Sequence, residues 1–141
     1  MQDQLTLLMI RGSLKAKYRL ISVAEAHGVT LMQALALCML DPGVAVPMNT
    51  LSTFLNCDPS NITGIVDGLV AKSYLERKES AQDRRKKEVI ITTRGLALRR
   101  KLIEASLETR APNLKNMTHT EVSELIRLLA KASAMNLPPV A

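Results

Sequence analysis

Aromatic residues are scarce in this sequence: among 141 residues there is no Trp, one Phe and two Tyr. A core of stacked rings is excluded, and the interior has to be aliphatic. Cysteine is scarce too. Cys38 and Cys57 are the only two, and a pair at that spacing provides neither a disulfide framework nor a metal-ligand motif. The two histidines, His27 and His119, stand far apart with no acidic motif around either, and both read as incidental. No apolar run reaches the roughly 18 to 20 residues that span a bilayer. The start of the chain lacks the basic residues and unbroken apolar stretch of a signal peptide. There is no nucleophile–base constellation, metal set or phosphate loop. The expectations are a cytoplasmic protein that is not an enzyme, with no metal, no cofactor and no membrane partner.

What the chain does have is Leu, Ile, Val, Met and Ala, a mixture that favours helices, in a length that suits one ordinary domain. Its 19 Lys and Arg outweigh 13 Asp and Glu, for a net charge of +6. That balance suits a polyanionic partner, nucleic acid before membrane.

Apolar periodicity divides the chain. Residues 5–26 place Leu7, Ile10, Leu14, Tyr18 and Ile21 at spacings of three and four, one stripe of a long helix. His27-Gly28 ends it, glycine being suited to the left-handed turn after a helix. Thr30 opens a second helix, residues 31–40, with Gln33 as capping-box partner. This segment is apolar almost all round, which predicts a central position. Asp41-Pro42-Gly43 is a turn, and Val44-Ala45-Val46 reads as a very short strand. A helix over 48–55 is expected to turn Leu51, Phe54 and Leu55 inward. Asp58 then acts as N-cap and Pro59 as first helical residue of a helix running to about Lys72. Its inner face is Ile62, Ile65, Val66 and Leu69.

A hairpin follows over 74–92. Thr92 caps a helix carrying Leu96, Leu102, Ile103 and Leu107 and ending before Pro112. In the last helix Thr118 and Glu121 form a capping box with a Met117–Val122 staple. Val122, Leu125, Leu129 and Ala132 make its stripe, and Pro138-Pro139 closes the chain. The fold class is mainly α (α+β).

Two short helices around a tight turn, followed by a basic hairpin, make a winged helix-turn-helix. The outer face of the 59–72 helix holds Ser60, Thr63, Gly64 and Asp67, with Asn61 and Gly68 beside them. Small residues there let a backbone approach base edges, and Ser60, Asn61 and Thr63 offer donors and acceptors. Asp67 either accepts from a cytosine amino group or orients a nearby Arg; the second reading is preferred, because an unneutralised acid repels phosphates. Gly64 and Gly68 each cost a helix roughly 1 kcal/mol against Ala, which favours close approach to something outside. Four consecutive cations, Arg84, Arg85, Lys86 and Lys87, crown the hairpin directly after Asp83. A charge run is often only a solvated face. On a wing, the lysines contact phosphates and an arginine enters the minor groove.

The stretch CDPSNITGIVDGLVAKSYLERKESAQDRRKKEVIITTRG, residues 57–95, resembles the MarR family of bacterial transcription regulators. The matching pieces are Asp58-Pro59-Ser60-Asn61, the Val66-Asp67-x-Leu69 block, Leu75-Glu76-Arg77, Asp83-Arg84-Arg85 and Thr92-x-x-Gly95. The resemblance implies one domain over 1–141, with a DNA-binding lobe at 30–92. It also implies a helical dimerisation region at 1–28 and 93–141, so that a homodimer grips a palindrome in double-stranded DNA. DNA contacts are then expected from Ser60, Asn61, Thr63, Gly64, Asp67, Arg84, Arg85 and Lys86, with Asp83 bracing the wing through Arg85. Many members carry a basic residue where this chain has Gly68. Family members respond to small aromatic effectors bound between the dimer helices and the lobe, or to cysteine oxidation. Tyr18 and Arg19 could line such a pocket, although Tyr18 in the apolar stripe reads as core. Cys38 reads as an inert small hydrophobe. Cys57 sits near a helix N-terminus, but the neighbouring Asp58 opposes a thiolate. The sequence-level reading is a sequence-specific repressor relieved by an effector. The alternatives are a weakly specific DNA-packaging protein and a winged-helix module that docks a protein.

Overall fold

The computed structural model describes residues 2–80, 83, 85–108 and 116–133. Arg84, Pro112, Pro138 and Pro139 therefore lie outside the described residues, as does the Leu107 side chain. The chain divides after Thr109 into two compact units, each taken by itself below.

The first unit begins with α1 (Gln2–Ala26), about 37 Å long at 1.5 Å per residue. His27 Nδ1–H donates to the Val23 carbonyl at 2.9 Å, and Gly28 takes φ +65° to leave the helix. The capping box expected at Thr30 opens α2 (Leu31–Cys38). The Gln33 amide donates to Thr30 Oγ1 at 3.2 Å, and the Thr30 amide donates to Gln33 Oε1 at 3.0 Å. Gly43, at φ +74°, completes the next turn. There follow β1 (Val46–Pro47), α3 (Met48–Phe54), α4 (Pro59–Ala71), β2 (Leu75–Glu79), β3 (Lys87–Ile91) and α5 (Thr93–Glu108). The three strands form one antiparallel sheet in the order β1-β3-β2, with Val46 opposite Val89 and Leu75 opposite Ile91. The architecture is mainly α with a small sheet, a winged helix-turn-helix.

The core is aliphatic. Leu37, Leu40, Leu51, Leu69, Leu75 and Leu102 are its largest fully buried leucines, and truncating one to Ala would cost about 2–5 kcal/mol. The Thr92 hydroxyl accepts the Gly95 amide at 3.0 Å and lies between the carbonyls of Ser73 and Tyr74. A Cβ at Gly95 would run into the Tyr74 carbonyl and the Ile91 side chain, so the first turn of α5 abuts the end of the hairpin.

Several side chains differ from expectation. Phe54 is 50% exposed rather than turned inward, because α3 is a single short helix whose buried side is Leu51 and Ser52. Tyr18 is 69% exposed rather than core. Only the last turns of α1, at Leu20 and Ala24, are buried, so Leu7, Ile10 and Leu14 face outward in the single chain. Leu98, outside the expected stripe, is buried beside Leu102. The second unit contains α6 (His119–Ser133), opened by the Thr118–Glu121 box: Thr118 N–H donates to Glu121 Oε2 at 2.7 Å and Glu121 N–H to Thr118 Oγ1 at 3.3 Å. Leu125, Leu128 and Leu129 are exposed on it.

Candidate nucleic-acid interface

α3 and α4 are joined by a turn in which Asn56 takes φ +47°. Asn is one of the few side chains that tolerates this left-handed region. Asp58 occupies the N-cap position of α4 and Pro59 follows it, but the Asp58 side chain makes no capping hydrogen bond. The fixed φ of proline starts the helix instead. Ile62, Val66 and Leu69 are buried, which fixes the rotation of α4 and leaves Ser60, Asn61, Thr63, Gly64 and Asp67 exposed together on its other side.

That outer face is small and polar. The Thr63 hydroxyl donates to the Pro59 carbonyl at 3.2 Å, leaving its oxygen free to accept. Asp67 Oδ1 lies 2.5 Å from Arg77 Nη2 on β2, the two side chains being 54% and 37% exposed. The only acid of the face is therefore neutralised by the first strand of the hairpin, and the same ion pair ties α4 to that strand. A Cβ at Gly64 would meet nothing within 4 Å, so this stretch of backbone is open to a ligand.

The hairpin tip is shaped by Asp83. Its carboxylate accepts the Arg85 backbone amide at 3.0 Å, and its carbonyl accepts the Lys86 amide at 2.8 Å. Ser80 N–H then donates to the Lys86 carbonyl at 3.0 Å, closing the tip. Asp83 thus sets the turn through main-chain atoms; among the described residues no ion pair joins it to the Arg85 guanidinium. Arg85 and Lys86 are exposed. Lys87 pairs with Glu79 across the strands at 3.3 Å. Arg84, the remaining cation of the run, lies outside the described residues.

Between α3, the start of α4 and the hairpin lies an open cavity of about 480 Å³. It is lined by Met48, Asn49 and Ser52 of α3, by Ile62 and Thr63 of α4, and by Arg77 and Lys87 of the hairpin. Helix face, cavity and basic hairpin thus form one continuous surface.

A family model, the MarR family, matches residues 29–87, which span this surface. Residues 29–87 are a MarR-family domain. Over most of its length the chain carries the fold of MarR-family transcription regulators. It is similar to apo MarR from E. coli, with 26% identity, TM-score 0.69, and 91% of this chain and 95% of that chain covered. It is also similar in fold to a MarR-family regulator from Silicibacter pomeroyi, with 22% identity, TM-score 0.76, and coverage of 94% and 90%. An S. aureus MepR variant bound to an oligodeoxyribonucleotide matches with 19% identity, TM-score 0.63, and coverage of 92% and 95%. No curated protein gives a significant sequence match.

The MarR-family domain contains both cysteines. Burial pushes the Cys38 thiol pKa upward, more strongly than the nearby Arg99 pulls it down, so Cys38 stays a protonated thiol. Cys57 is half-buried in the turn before α4. Tyr18 and Arg19 are exposed on α1, and the 480 Å³ cavity is lined by other residues. Sequence reasoning placed Arg77 only within the Leu75-Glu76-Arg77 piece of the family resemblance, and its preference for an arginine partner at Asp67 named no position.

Proposed function

We propose that the chain is a sequence-specific DNA-binding transcription regulator, a cytoplasmic homodimer that binds a palindromic operator and represses until an effector releases it. The observation that carries this reading is the composite surface of the MarR-family domain. It combines an exposed helix face of Ser60, Asn61, Thr63 and Gly64 with an exposed basic hairpin tip at Arg85 and Lys86, and the face's only acid is neutralised by Arg77 of the hairpin. A major groove accepts a helix with such a face, and cations on a wing suit flanking phosphates or a minor groove. The fold likeness to a MepR variant bound to an oligodeoxyribonucleotide supports the same reading. The dimer is supported by the exposed apolar row Leu7, Ile10 and Leu14 on α1 and by exposed Leu125 and Leu129 on α6. Rows of this size on single chains mark protein interfaces, and a twofold partner meets a palindrome symmetrically.

Selection of bound molecules from a random-duplex pool tests the proposal. Enrichment of one palindrome supports it. Retention of all duplexes alike would favour DNA packaging, and no retention at moderate salt would favour a protein-docking module.

A further inference from the structure

The two glycines of α4 differ in their surroundings. Gly64 faces open space, but a Cβ at Gly68 would run into the carboxamide of Gln33 at the start of α2. Swinging that carboxamide away would break a hydrogen bond. Its Oε1 accepts the Thr30 amide at 3.0 Å while the Gln33 amide donates to Thr30 Oγ1 at 3.2 Å, so the capping box holds the side chain in place. One helical turn further on, Lys72 Nζ donates to the Gly28 carbonyl, at the residue whose left-handed φ of +65° ends α1. The second half of α4 is therefore registered at two points against the corner where α1 passes into α2. Close helix approach at a glycine needs no DNA to explain it.

We infer that Gln33 is a positioning residue for DNA recognition and that Gly68 is the notch that receives it. This rests on the DNA-binding reading above. The box at Thr30 fixes the Gln33 carboxamide, the carboxamide fixes the depth and rotation of α4, and α4 presents Ser60, Asn61 and Thr63 to the groove. Gln33 touches no base, yet specificity depends on it. The glycine at position 68 is required by α2, in contrast to Gly64, whose open side faces the ligand.

The test uses Gly68→Ala, Gln33→Ala and the paired replacement, titrated against the selected duplex and a random duplex, together with amide hydrogen exchange at Thr30. In the native background Gly68→Ala should weaken binding to the selected duplex about tenfold, and in the Gln33→Ala background by less than about twofold, a coupling typical of touching residues. Binding to the random duplex should change little in either. The Thr30 amide should exchange faster in Gly68→Ala, because the displaced carboxamide no longer accepts it. Equal losses in both backgrounds, with Thr30 protection unchanged, would overturn the inference and hand Gly68 back to the DNA face. Should Gly68→Ala not fold, a folded paired replacement supports the notch, and an unfolded one refutes it. A wild type with no preferred duplex refutes the DNA-binding reading and the positioning role with it, while Thr30 exchange still decides whether Gln33 fills the notch.

Discussion

Replacing Asp67 by Ala separates two roles for the acid on the recognition face. The Asp67–Arg77 contact is short, at 2.5 Å, but its partners are 54% and 37% exposed. Solvent screening therefore limits its contribution to stability to about 0–1 kcal/mol. For a domain of this size that corresponds to a loss of at most about 4 °C in Tm. The effect on DNA should be larger and of opposite sign. The replacement removes one negative charge from a surface facing phosphates and releases the Arg77 guanidinium. Random-duplex affinity should rise, and the salt slope should steepen by about 0.9, the increment for one more neutralised phosphate. The ratio of operator to random affinity should fall, because α4 is no longer tied to β2. Fluorescence anisotropy titrations on both duplexes across a salt series, with thermal melts alongside, measure all of this. Were Asp67 instead a reader of a cytosine amino group, the operator would lose about 1–3 kcal/mol at a single base pair with no gain on random DNA. That result would refute the reasoning.

On the wing, Lys86→Ala should weaken operator and random duplexes alike and shallow the salt slope by about one unit. Arg85→Ala should weaken the operator more than random DNA and reduce the preference for flanking A·T pairs; identical titration curves for the two variants would return the tip to a solvated charge run. Leu14→Glu and Leu125→Glu should each reduce dimer formation in sedimentation and operator binding in parallel, and tight palindrome binding by a monomer would contradict the assembly. Cys38→Ser and Cys57→Ser should leave DNA release by mild peroxide no different from the wild type; release lost only in Cys57→Ser would make that thiol a sensor. Glu121 has its pKa lowered chiefly by the hydrogen bond from the Thr118 amide. Its contribution to the start of α6 is present above the ordinary carboxylate range and is lost as pH falls through the lowered value. Exchange protection in the first turn of α6 should therefore fall on acidification, and Glu121→Gln should flatten that dependence.

The elements were legible in the sequence wherever local chemistry sets them. Thr30 with Gln33 and Thr118 with Glu121 close within three residues, so spacing alone announces those helix starts, while the Thr92–Gly95 contact was legible through the family resemblance. Side-chain direction was less legible. Phe54 and Tyr18 are large and apolar, yet both are exposed in the single chain, because periodicity marks a stripe without saying what covers it. The interface face was readable from α4 periodicity, since Ile62, Val66 and Leu69 force Ser60, Asn61 and Thr63 outward. Contacts that cross between elements were not. Arg77 reaches Asp67 from the adjacent strand, and Gln33 of α2 lies against Gly68. Asp83 was expected to brace the wing through Arg85, and its carboxylate accepts the Arg85 main-chain amide; residue types alone do not say which atoms of Arg85 it meets.

The most direct test of sequence-specific binding by a dimer is a titration of the selected palindrome, its isolated half-site and a random duplex at one fixed salt concentration, with the mass of each complex measured. The account predicts two chains per palindrome and an affinity at least about 10³-fold above random DNA, with the half-site in between. One chain per palindrome, or equal affinity for all three duplexes, would contradict it.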